Sequence, residues 1–400
     1  MNALFVHEKF GAFAGAEANI LAVAAGLKQR GHAVAILHGA PTGKGEGSWR
    51  ETFPACFPLR ENGGGVAEAL EAFGPEVIYV HKLADLNALQ ALLHSGRPLV
   101  RMVHDHDLYC MRSYKYNVFT RRICGRAASP LCLFPCGAFL ARDAEGPWPL
   151  KWVSYSDKRQ EIELNKKFDR LVVGSQFMKD ELVCNGFAPD RIEIHPPVPP
   201  GSEASAPSSF SDRNLIVYAG QLVRGKGVDV LLESLALVRA PFECFIFGDG
   251  NHRAPCEKLA GWLKLQDRVH FKGYVPPQEL AVFYGEASVA VVSSVWPEPF
   301  GATGLEAMRH GVPVVAFDAG GIKEWLIDGY NGFLAPWMDR AAFAARVERL
   351  LQDKRLARHL GCQARAAVAE YYGFAKYLDG LEKLFTRVAS QSRRALAPQP

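Results

Sequence analysis

The feature that most constrains the fold is an alternation of short apolar runs and amphipathic segments, repeated in both halves of the 400-residue chain. One unit of it, residues 287–317, runs "ASVAVVSS", a turn containing Pro297 and Pro299, "GATGLEAMRHG", and "VPVVAF". Apolar runs unbroken by charge predict strands buried on both faces, and the middle segment has a helical period that ends at Gly311. Strands joined in this way form parallel sheets, with ligands at their carboxyl ends.

The alternation predicts an α/β protein of two doubly wound domains. A stretch rich in Pro, Ser and Gly, residues 196–213, separates the halves and predicts a linker. The chain is also too long for one ordinary core, so two domains of roughly 150 to 200 residues are expected. The predicted strands are 3–7, 32–39, 76–82, 98–105 and 170–175 in the first half, and 214–220, 242–250, 268–274, 287–294 and 312–317 in the second.

Composition excludes several classes of protein. The net charge is +4 and no run of five Lys or Arg residues occurs, which argues against nucleic acid as a partner. The first residues, "MNALFVHEKF", lack a basic segment followed by an apolar one, and no stretch approaches 18 uninterrupted apolar residues. We therefore expect neither a signal peptide nor a membrane span, and a cytoplasmic protein.

Cysteine usage agrees with a reducing compartment, because nine cysteines are an odd number and fit free thiols better than a disulfide framework. Four of them share one window: Cys110, Cys124, Cys132 and Cys136. Their spacings lack the C-x-x-C pairs usual in structural zinc sites. We expect no metal and a loop packed on itself, and a four-thiolate zinc site stays open as the alternative.

The turn at residues 298–308, "EPFGATGLEAM", indicates an anion site next to hydroxyl groups. A helix that begins near Gly301 offers backbone N–H groups and its positive dipole end to a phosphate. Glu298 would repel a phosphate but can accept hydrogen bonds from hydroxyls, and Glu306, expected two turns into the helix, can do the same. A phosphate between two polyols describes a nucleotide sugar. The alternative for this window is two solvated glutamates on a helix.

Several motifs occur in a distinctive order and at distinctive separations. In the second half they are "VYAGQLVRGKGVDVLLES", "FGDGNHR", "VHFKGYVPPQEL" and "VWPEPFGATGLEAMRHGVPVVAFDAGGIKEWLIDGYNGFL". These resemble the carboxyl domain of the retaining glycosyltransferases of family 4, which have the GT-B architecture. Weaker matches in the first half are "GAFAGAEANILAVAAGLKQRGHAV", "VHDHD" and "VVGSQFMKDELVCNGFAPDRIEIHPPV". The resemblance implies an amino-terminal acceptor-side domain over 1–195, a donor-binding domain over 214–372, and a cleft between them. It also implies a carboxyl-terminal helix, 373–390, that packs back on the first domain.

The resemblance assigns roles residue by residue. It implies that Glu298 holds hydroxyls of the donor sugar, that Glu306 binds the ribose, and that Lys226 neutralises the leaving diphosphate. His104, at the end of a predicted strand, matches a histidine beside the donor sugar. The backbone amides expected at the diphosphate and the glycine of the opening loop are Phe300, Gly301, Ala302 and Gly15. No cofactor is implied, since the nucleoside-diphosphate sugar is a co-substrate.

Two details depart from a simple match. Gln221 stands where the family usually has an arginine that grips the phosphates, and we expect Arg224, three residues on, to supply that charge. Asp105 and Asp107 spell the acid-x-acid motif by which a different, metal-dependent class binds manganese. The two-domain organisation and Lys226 favour the metal-independent reading.

The acceptor is left open between a glycan, a lipid-linked sugar and a small molecule. We expect the residue 108–150 insertion to select it, with its aromatics Tyr109, Tyr114, Tyr116 and Phe119, although aromatic residues suit core packing equally well. The mixed aromatic and basic segment 151–170 fits peripheral membrane association or a solvated helix. Two alternative functions remain: a nucleotide-sugar epimerase or hydrolase on the same fold, and a non-catalytic sugar-nucleotide binding protein.

Overall fold

The chain divides into two compact units, each with its own core. The computed structural model describes residues 1–12, 15–117, 120–134, 136–142, 150–201 and 206–396. Unit 1 comprises Met1–Lys115, Cys124–Pro200 and Phe374–Pro400, and unit 2 comprises Tyr116–Ile123 and Gly201–Gly373. In the described part of the chain, no helix has the length and apolar composition that a bilayer crossing needs.

Unit 1 is built on a seven-stranded sheet with the order β3-β2-β1-β4-β5-β8-β9, in which every pairing is parallel. Its central strands are fully buried, as the uncharged β-branched runs predict. The strands are β1 (Asn2–Phe10), β2 (Ala33–Pro41), β3 (Ala55–Pro58), β4 (Val77–Val80), β5 (Leu99–Val103), the antiparallel pair β6 (Leu140–Arg142) and β7 (Leu150–Trp152), β8 (Arg170–Val173) and β9 (Ile192–Ile194).

Helices connect the strands of unit 1 and cover both faces of its sheet. Three of them begin at a side chain that accepts from the backbone of the first turn, namely Asp85, Ser154 and Ser175. The helices are α1 (Gly15–Gln29), α2 (Glu46–Thr52), α3 (Val66–Phe73), α4 (Leu86–His94), α5 (Tyr155–Asn165) and α6 (Gln176–Cys184). The sequence analysis predicted α1 but not the short strand β3, whose four residues carry little periodic signal.

Unit 2 repeats the plan with a six-stranded parallel sheet of order β12-β11-β10-β13-β14-β15. Its strands are β10 (Leu215–Ala219), β11 (Glu243–Phe247), β12 (Val269–Gly273), β13 (Val289–Val292), β14 (Val314–Phe317) and β15 (Gly332–Ala335). Its helices are α7 (Val228–Leu235), α8 (Arg253–Trp262), α9 (Pro277–Tyr284), α10 (Thr303–Arg309), α11 (Arg340–Gln352) and α12 (Lys354–Tyr371). Short 3₁₀ turns occur at Glu61–Gly63, Pro130–Cys132, Pro189–Arg191, Arg224–Lys226 and Gly321–Glu324.

The carboxyl-terminal helices break where the sequence predicted one break and where it missed another. α12 ends at Tyr371 and α13 (Phe374–Leu396) follows the "YYGF" segment, as predicted. The missed break separates α11 from α12 at Asp353, whose carboxylate accepts from the Leu356 amide at 2.9 Å and so caps a new helix. α13 belongs to unit 1, where its apolar face joins the core around α1 and β4. The predicted return of this helix to the first domain is confirmed.

Candidate active site

In unit 2, the loop after β10 is fixed by backbone contacts to the turn after β13. The Gly225 carbonyl accepts from the amides of Val295, at 2.9 Å, and Trp296, at 3.1 Å. Gly227 has φ 65°, and a Cβ there would lie 2.1 Å from the Ser293 carbonyl oxygen, so only glycine fits. This loop carries Lys226, and the facing turn carries Glu298. The backbone therefore sets the distance between the two side chains.

Glu298 is held between the ends of β13 and β14. Its amide donates to the Ala319 carbonyl at 3.2 Å and its carbonyl accepts from the Gly321 amide at 2.8 Å. Between these partners Gly320 has φ 70°, and a Cβ there would lie 2.4 Å from the Glu298 carbonyl oxygen. The glutamate side chain is buried, with 4% of it exposed. Its backbone is thus anchored on both sides before any ligand binds.

Lys226 and Glu298 form the central ion pair of this region, with Nζ 2.6 Å from Oε1. The same oxygen accepts from Trp296 Nε1 at 2.8 Å and from the Ser294 hydroxyl. Lys226 Nζ also lies 5.2 Å from the centre of the Trp296 ring. Burial raises the pKa of Glu298, but the Lys226 charge and the three hydrogen bonds outweigh it, and the pKa is lowered from its ordinary value. The carboxylate is charged at neutral pH.

The other residues predicted from this turn are neighbours of Glu298 along the chain. Phe300 is buried, and its carbonyl accepts from Trp325 Nε1 at 2.7 Å. Gly301 has φ 78°, and Ala302 is the residue that immediately precedes α10. Glu306 consequently lies in the first turn of α10, so the expectation of a position two turns into the helix was wrong. Burial raises the pKa of the Glu306 carboxyl, against the charge of Arg309.

Gln221 and Arg224 both lie on the exposed side of the loop after β10. The Gln221 carbonyl accepts from the Tyr218 hydroxyl at 3.3 Å, which fixes the start of the loop. Arg224 begins the 3₁₀ turn that ends at Lys226. A narrow recess opens beside this loop at the carboxyl ends of β10 and β13. It is lined by Tyr218, Ala219, Gly220, Lys226, Val291, Val292, Ser294 and Thr303.

Unit 2 also includes a short piece of the insertion, Tyr116–Ile123, which the sequence analysis had placed in the first domain. Arg121 is buried and paired with Asp229 in the first turn of α7 through both terminal nitrogens. A Cβ on Gly225 would lie 3.4 Å from the Tyr116 hydroxyl, so this tyrosine packs beside the lysine loop. No sequence motif indicates these contacts, because the partners are about a hundred residues apart.

In unit 1, His104 follows β5 and contacts a second histidine. Its Nε2 lies 2.7 Å from Nδ1 of His81, which follows the neighbouring strand β4. Burial lowers the pKa of His104 to about 3, and the nearby Lys82 charge adds to the effect. His104 is therefore neutral throughout the physiological range. The sequence analysis singled out His104 but not His81.

The acid-x-acid motif of unit 1 is occupied by a lysine. Lys82 Nζ lies 2.6 Å from Asp105 Oδ2 and 3.2 Å from Asp107 Oδ2, in the position that a bridging cation would take. Burial and the adjacent Asp107 charge raise the pKa of Asp105 to about 7. The pKa of Asp107 is lowered: burial acts against this, but the Lys82 charge prevails. These carboxylates are ion-paired within the chain.

Gly15 begins α1, and a Cβ on it would meet no atom within 4 Å. Two residues on, Glu17 Oε1 lies 3.5 Å from Nε2 of the buried His7. Burial raises the pKa of Glu17, but its contact with His7 contributes to a net lowering. The helix N-terminus is thereby linked to the carboxyl end of β1. The role of Gly15 stays a prediction.

The insertion shows which aromatic residues are core residues. Tyr109 and Tyr116 are buried, at 1% and 6% exposure, whereas Tyr114 is exposed. Phe119 lies outside the described residues. The four cysteines of the window are free thiols. Across the described ranges, no three His, Cys, Asp or Glu side chains are grouped so that they would hold a metal ion.

Comparison with known proteins extends these observations. Residues 13–198 match the model of "Glycosyltransferase Family 4", and residues 202–367 match "Glycosyl transferases group 1". A D-inositol 3-phosphate glycosyltransferase of Streptomyces bingchenggensis is 32% identical over 249 residues, 56% of this chain and 54% of the relative. An alpha-D-kanosaminyltransferase of Streptomyces kanamyceticus is 31% identical over 182 residues, 45% of this chain and 47% of the relative. This chain thus spans about half the length of these curated relatives.

Solved structures share the fold at low sequence identity. Anabaena Alr3699/HepE in complex with UDP and glucose superposes with a TM-score of 0.74 at 19% identity, covering 97% of this chain and 100% of that one. The lipopolysaccharide outer core galactosyltransferase WaaB, in its apo form, gives a TM-score of 0.71 at 15% identity, with coverages of 97% and 100%. With both halves matched by family models and the two sheets matched by these structures, the chain belongs to the family 4 glycosyltransferases and has the GT-B fold.

Proposed function

We propose that the protein is a retaining glycosyltransferase that moves a sugar from a nucleoside-diphosphate sugar to an acceptor without a metal ion. The observation that carries this proposal is the 2.6 Å contact between Lys226 Nζ and Glu298 Oε1 at the carboxyl edge of a parallel sheet. A cation and a hydroxyl-binding carboxylate meet there. This is what the bond between a sugar and a phosphate requires on its two sides.

The proposed division of labour follows from which atoms are already used. The Trp296, Ser294 and Lys226 donors all converge on Oε1 of Glu298, and Oε2 is the oxygen we assign to sugar hydroxyls. Lys226 turns to the diphosphate as negative charge develops on it, and Arg224 supplies the charge that Gln221 lacks. The amides of Phe300, Gly301 and Ala302 contact the phosphates, and Glu306 binds the ribose.

The proposed chemistry is a displacement with retention of configuration. As the glycosidic bond lengthens, an oxocarbenium-like transition state leaves charge on the diphosphate, where Lys226 stabilises it. The acceptor hydroxyl attacks from the same face and gives its proton to the departing phosphate oxygen. Unit 1 contributes His104 as a neutral hydrogen-bonding group and, in this proposal, Gly15 from the opening loop.

The acceptor is proposed as a class. The relatives named above act, by their names, on D-inositol 3-phosphate and on the lipopolysaccharide outer core. A glycan, lipid-linked or small-molecule acceptor in cell-surface polysaccharide or glycoconjugate synthesis is our proposal. Trp152 is 79% exposed beside the polar helix α5. An exposed aromatic of this kind suits the interface of a membrane, and we propose that the protein works in the cytoplasm at the inner face of that membrane.

The experiment that tests the proposal is a thermal-shift panel with UDP, GDP, ADP and their common sugars. We expect one nucleotide series to raise the melting temperature, and Glu306→Ala to weaken that shift because the ribose loses its partner. The control is Glu279→Ala, an exposed glutamate in the first turn of α9, which should leave the shift unchanged.

Two results would contradict the proposal. If no nucleotide shifts the melting temperature of the wild-type protein, the donor site assignment fails. If the protein consumes the stabilising donor at the same rate with and without every acceptor class offered, the hydrolase or epimerase alternative replaces the transferase.

A further inference from the structure

His81 is one of the most constrained side chains of unit 1. It is 1% exposed and follows β4 in the middle of the sheet. The Phe5 ring lies parallel to its imidazole at 5.8 Å, and the Tyr79 ring meets it edge-on at 4.4 Å. Packing on this scale fixes a ring in one rotamer. His81 therefore presents the same ring edge to its neighbour at all times.

That edge meets His104 in good hydrogen-bonding geometry. The distance from His81 Nδ1 to His104 Nε2 is 2.7 Å, the ring centres are 5.0 Å apart, and the ring planes differ by 18°. The contact is therefore nearly in the plane of both rings, where the N–H bond and the lone pair lie. Nε2 of His104 is occupied by this bond. Nδ1 is the nitrogen that His104 has left for a ligand.

Both rings are neutral. Burial lowers the pKa of His81 well below its ordinary value, and His104, His7 and Arg101 add to that. Burial lowers the pKa of His104 to about 3 as well, with Lys82 and His7 acting in the same direction and Asp107 and Glu17 opposing. A pair of neutral imidazoles shares one N–H between its facing nitrogens, so one ring donates and the other accepts.

The far side of His81 decides which ring donates. Its Nε2 is buried and has no hydrogen-bond partner among the described residues. If the proton were on Nε2, the core would contain a buried N–H with no acceptor, which is an unfavourable state for a donor. With the proton on Nδ1, His81 donates to His104, and its Nε2 keeps only a lone pair.

We infer that His81 is a positioning residue that fixes the tautomer of His104, so that His104 presents an Nδ1–H donor to the ligand. This inference rests on the proposed function for the identity of the ligand, but not for the tautomer itself. A fixed N–H donor suits an oxygen of the donor sugar or its phosphate. It also means that His104 does not take up the acceptor's proton, which agrees with transfer to the departing phosphate oxygen.

The first test is the tautomeric state, read by long-range ¹H–¹⁵N correlation spectra of the full chain with labelled histidine. We expect His81 and His104 to give Nδ1–H signals that do not change between pH 5.5 and 8. The two residues are assigned by the loss of signals in His81→Asn and His104→Asn. An Nε2–H signal for His104, or a titration of His104 near pH 6.5, would overturn the inference.

Three substitutions of His81 separate positioning from packing. The amide nitrogen of His81→Asn occupies the place of Nδ1 and keeps the donor, so His104 should stay in the Nδ1–H form. His81→Phe fills the same space without a donor, and His81→Gln places its amide nitrogen near Nε2. In both of these, we expect the His104 signal to move to the Nε2–H form.

Turnover supplies the functional arm, measured as release of nucleoside diphosphate from the donor found by the thermal-shift panel. We expect kcat to fall about tenfold or more in His81→Phe and His81→Gln, and to recover in His81→Asn. His38→Phe is the control, a half-buried histidine of β2. Equal rates in all His81 variants would refute the positioning role. Absence of any turnover in the wild type would instead contradict the proposed function, and the spectra would still decide the tautomer.

Discussion

Both sheets end in a lysine that faces carboxylates, but the two arrangements differ in charge balance. In unit 2, Lys226 pairs with Glu298, and Trp296 and Ser294 donate to the same carboxylate oxygen. In unit 1, Lys82 is shared by Asp105 and Asp107. One lysine per carboxylate keeps Glu298 ionised, whereas Asp105 shares its lysine, and burial together with the Asp107 charge raises the pKa of Asp105 to about 7.

The difference teaches how the same element ends take different roles. The unit 2 edge has a one-to-one pair plus the exposed Arg224, so it has positive charge to offer to a diphosphate. The unit 1 edge uses its lysine internally and adds a neutral histidine pair. The unit 2 edge therefore suits an anionic ligand, and the unit 1 edge suits hydroxyl groups. Each prediction below alters one side of this comparison.

The largest effect is expected from the unit 2 pair. Lys226→Ala and Glu298→Ala should each lower turnover by about 10²-fold or more, because each removes a preorganised contact to charge or hydroxyls at the reacting bond. The measurement is kcat for release of the nucleoside diphosphate. Lys323→Ala, an exposed lysine on the 3₁₀ turn after β14, is the matched control. Near-normal rates in both site variants would refute the site.

A smaller effect is expected from the unit 1 carboxylates and depends on pH. The folded protein holds the Asp105 proton up to about pH 7, while the unfolded chain releases it near pH 4. Stability from this group is thus present at low pH and is lost as the pH rises towards 7. Between pH 4.5 and 7.5, we expect the free energy of unfolding of wild type to fall by about 1–2 kcal/mol relative to Asp105→Asn, which is less than a full single-site linkage because Asp105 titrates as a coupled pair with Asp107.

The readout for Asp105 is the difference in melting temperature between wild type and variant across that pH range. Asp190→Asn, an exposed aspartate of unit 1, should give a difference that does not change with pH. If the Asp105→Asn difference is also flat, the carboxylates of unit 1 do not compete for their lysine, and the contrast with unit 2 disappears.

The smallest effect concerns the spare positive charge of unit 2. Arg224→Ala should weaken nucleoside-diphosphate binding about two- to five-fold, the range of one exposed ion pair. Adding Gln221→Arg to that variant should restore affinity, because an arginine returns to the position usual in the family. Isothermal titration at two salt concentrations measures both effects. An unchanged affinity in Arg224→Ala would show that Arg224 does not replace the missing arginine.

Much of the fold was predictable because local signals and topology agree. Uncharged β-branched runs such as "ASVAVVSS" specify buried parallel strands, and glycines at turns mark their ends. The helix break at "YYGF" followed the same way, whereas the return of α13 to unit 1 was predicted from the family resemblance. Predictions failed where the signal was short or depended on a single turn. β3 is four residues long, and Gly301, with its positive φ, delays α10 so that Glu306 falls in its first turn.

The candidate site was predictable in its residues but not in its partners. Lys226 and Glu298 were named from motifs, yet nothing local indicates that Ser294 and Trp296 donate to the same oxygen of Glu298. His104 was named, but its partner His81 lies 23 residues away on a neighbouring strand. Such pairs depend on strand order, which brings distant residues side by side.

Most strands and helices, the two parallel sheets and the family were predictable from the amino-acid sequence, because they follow from periodicity and short motifs. How the charges are matched depends on the folded chain. It gave Glu298 one lysine and made Asp105 and Asp107 share another, and it buried the His81–His104 contact. It also moved Tyr116 and Arg121 of the insertion into unit 2. The physical reason is that pKa values and ion pairs depend on distances of a few ångströms between residues far apart in the chain.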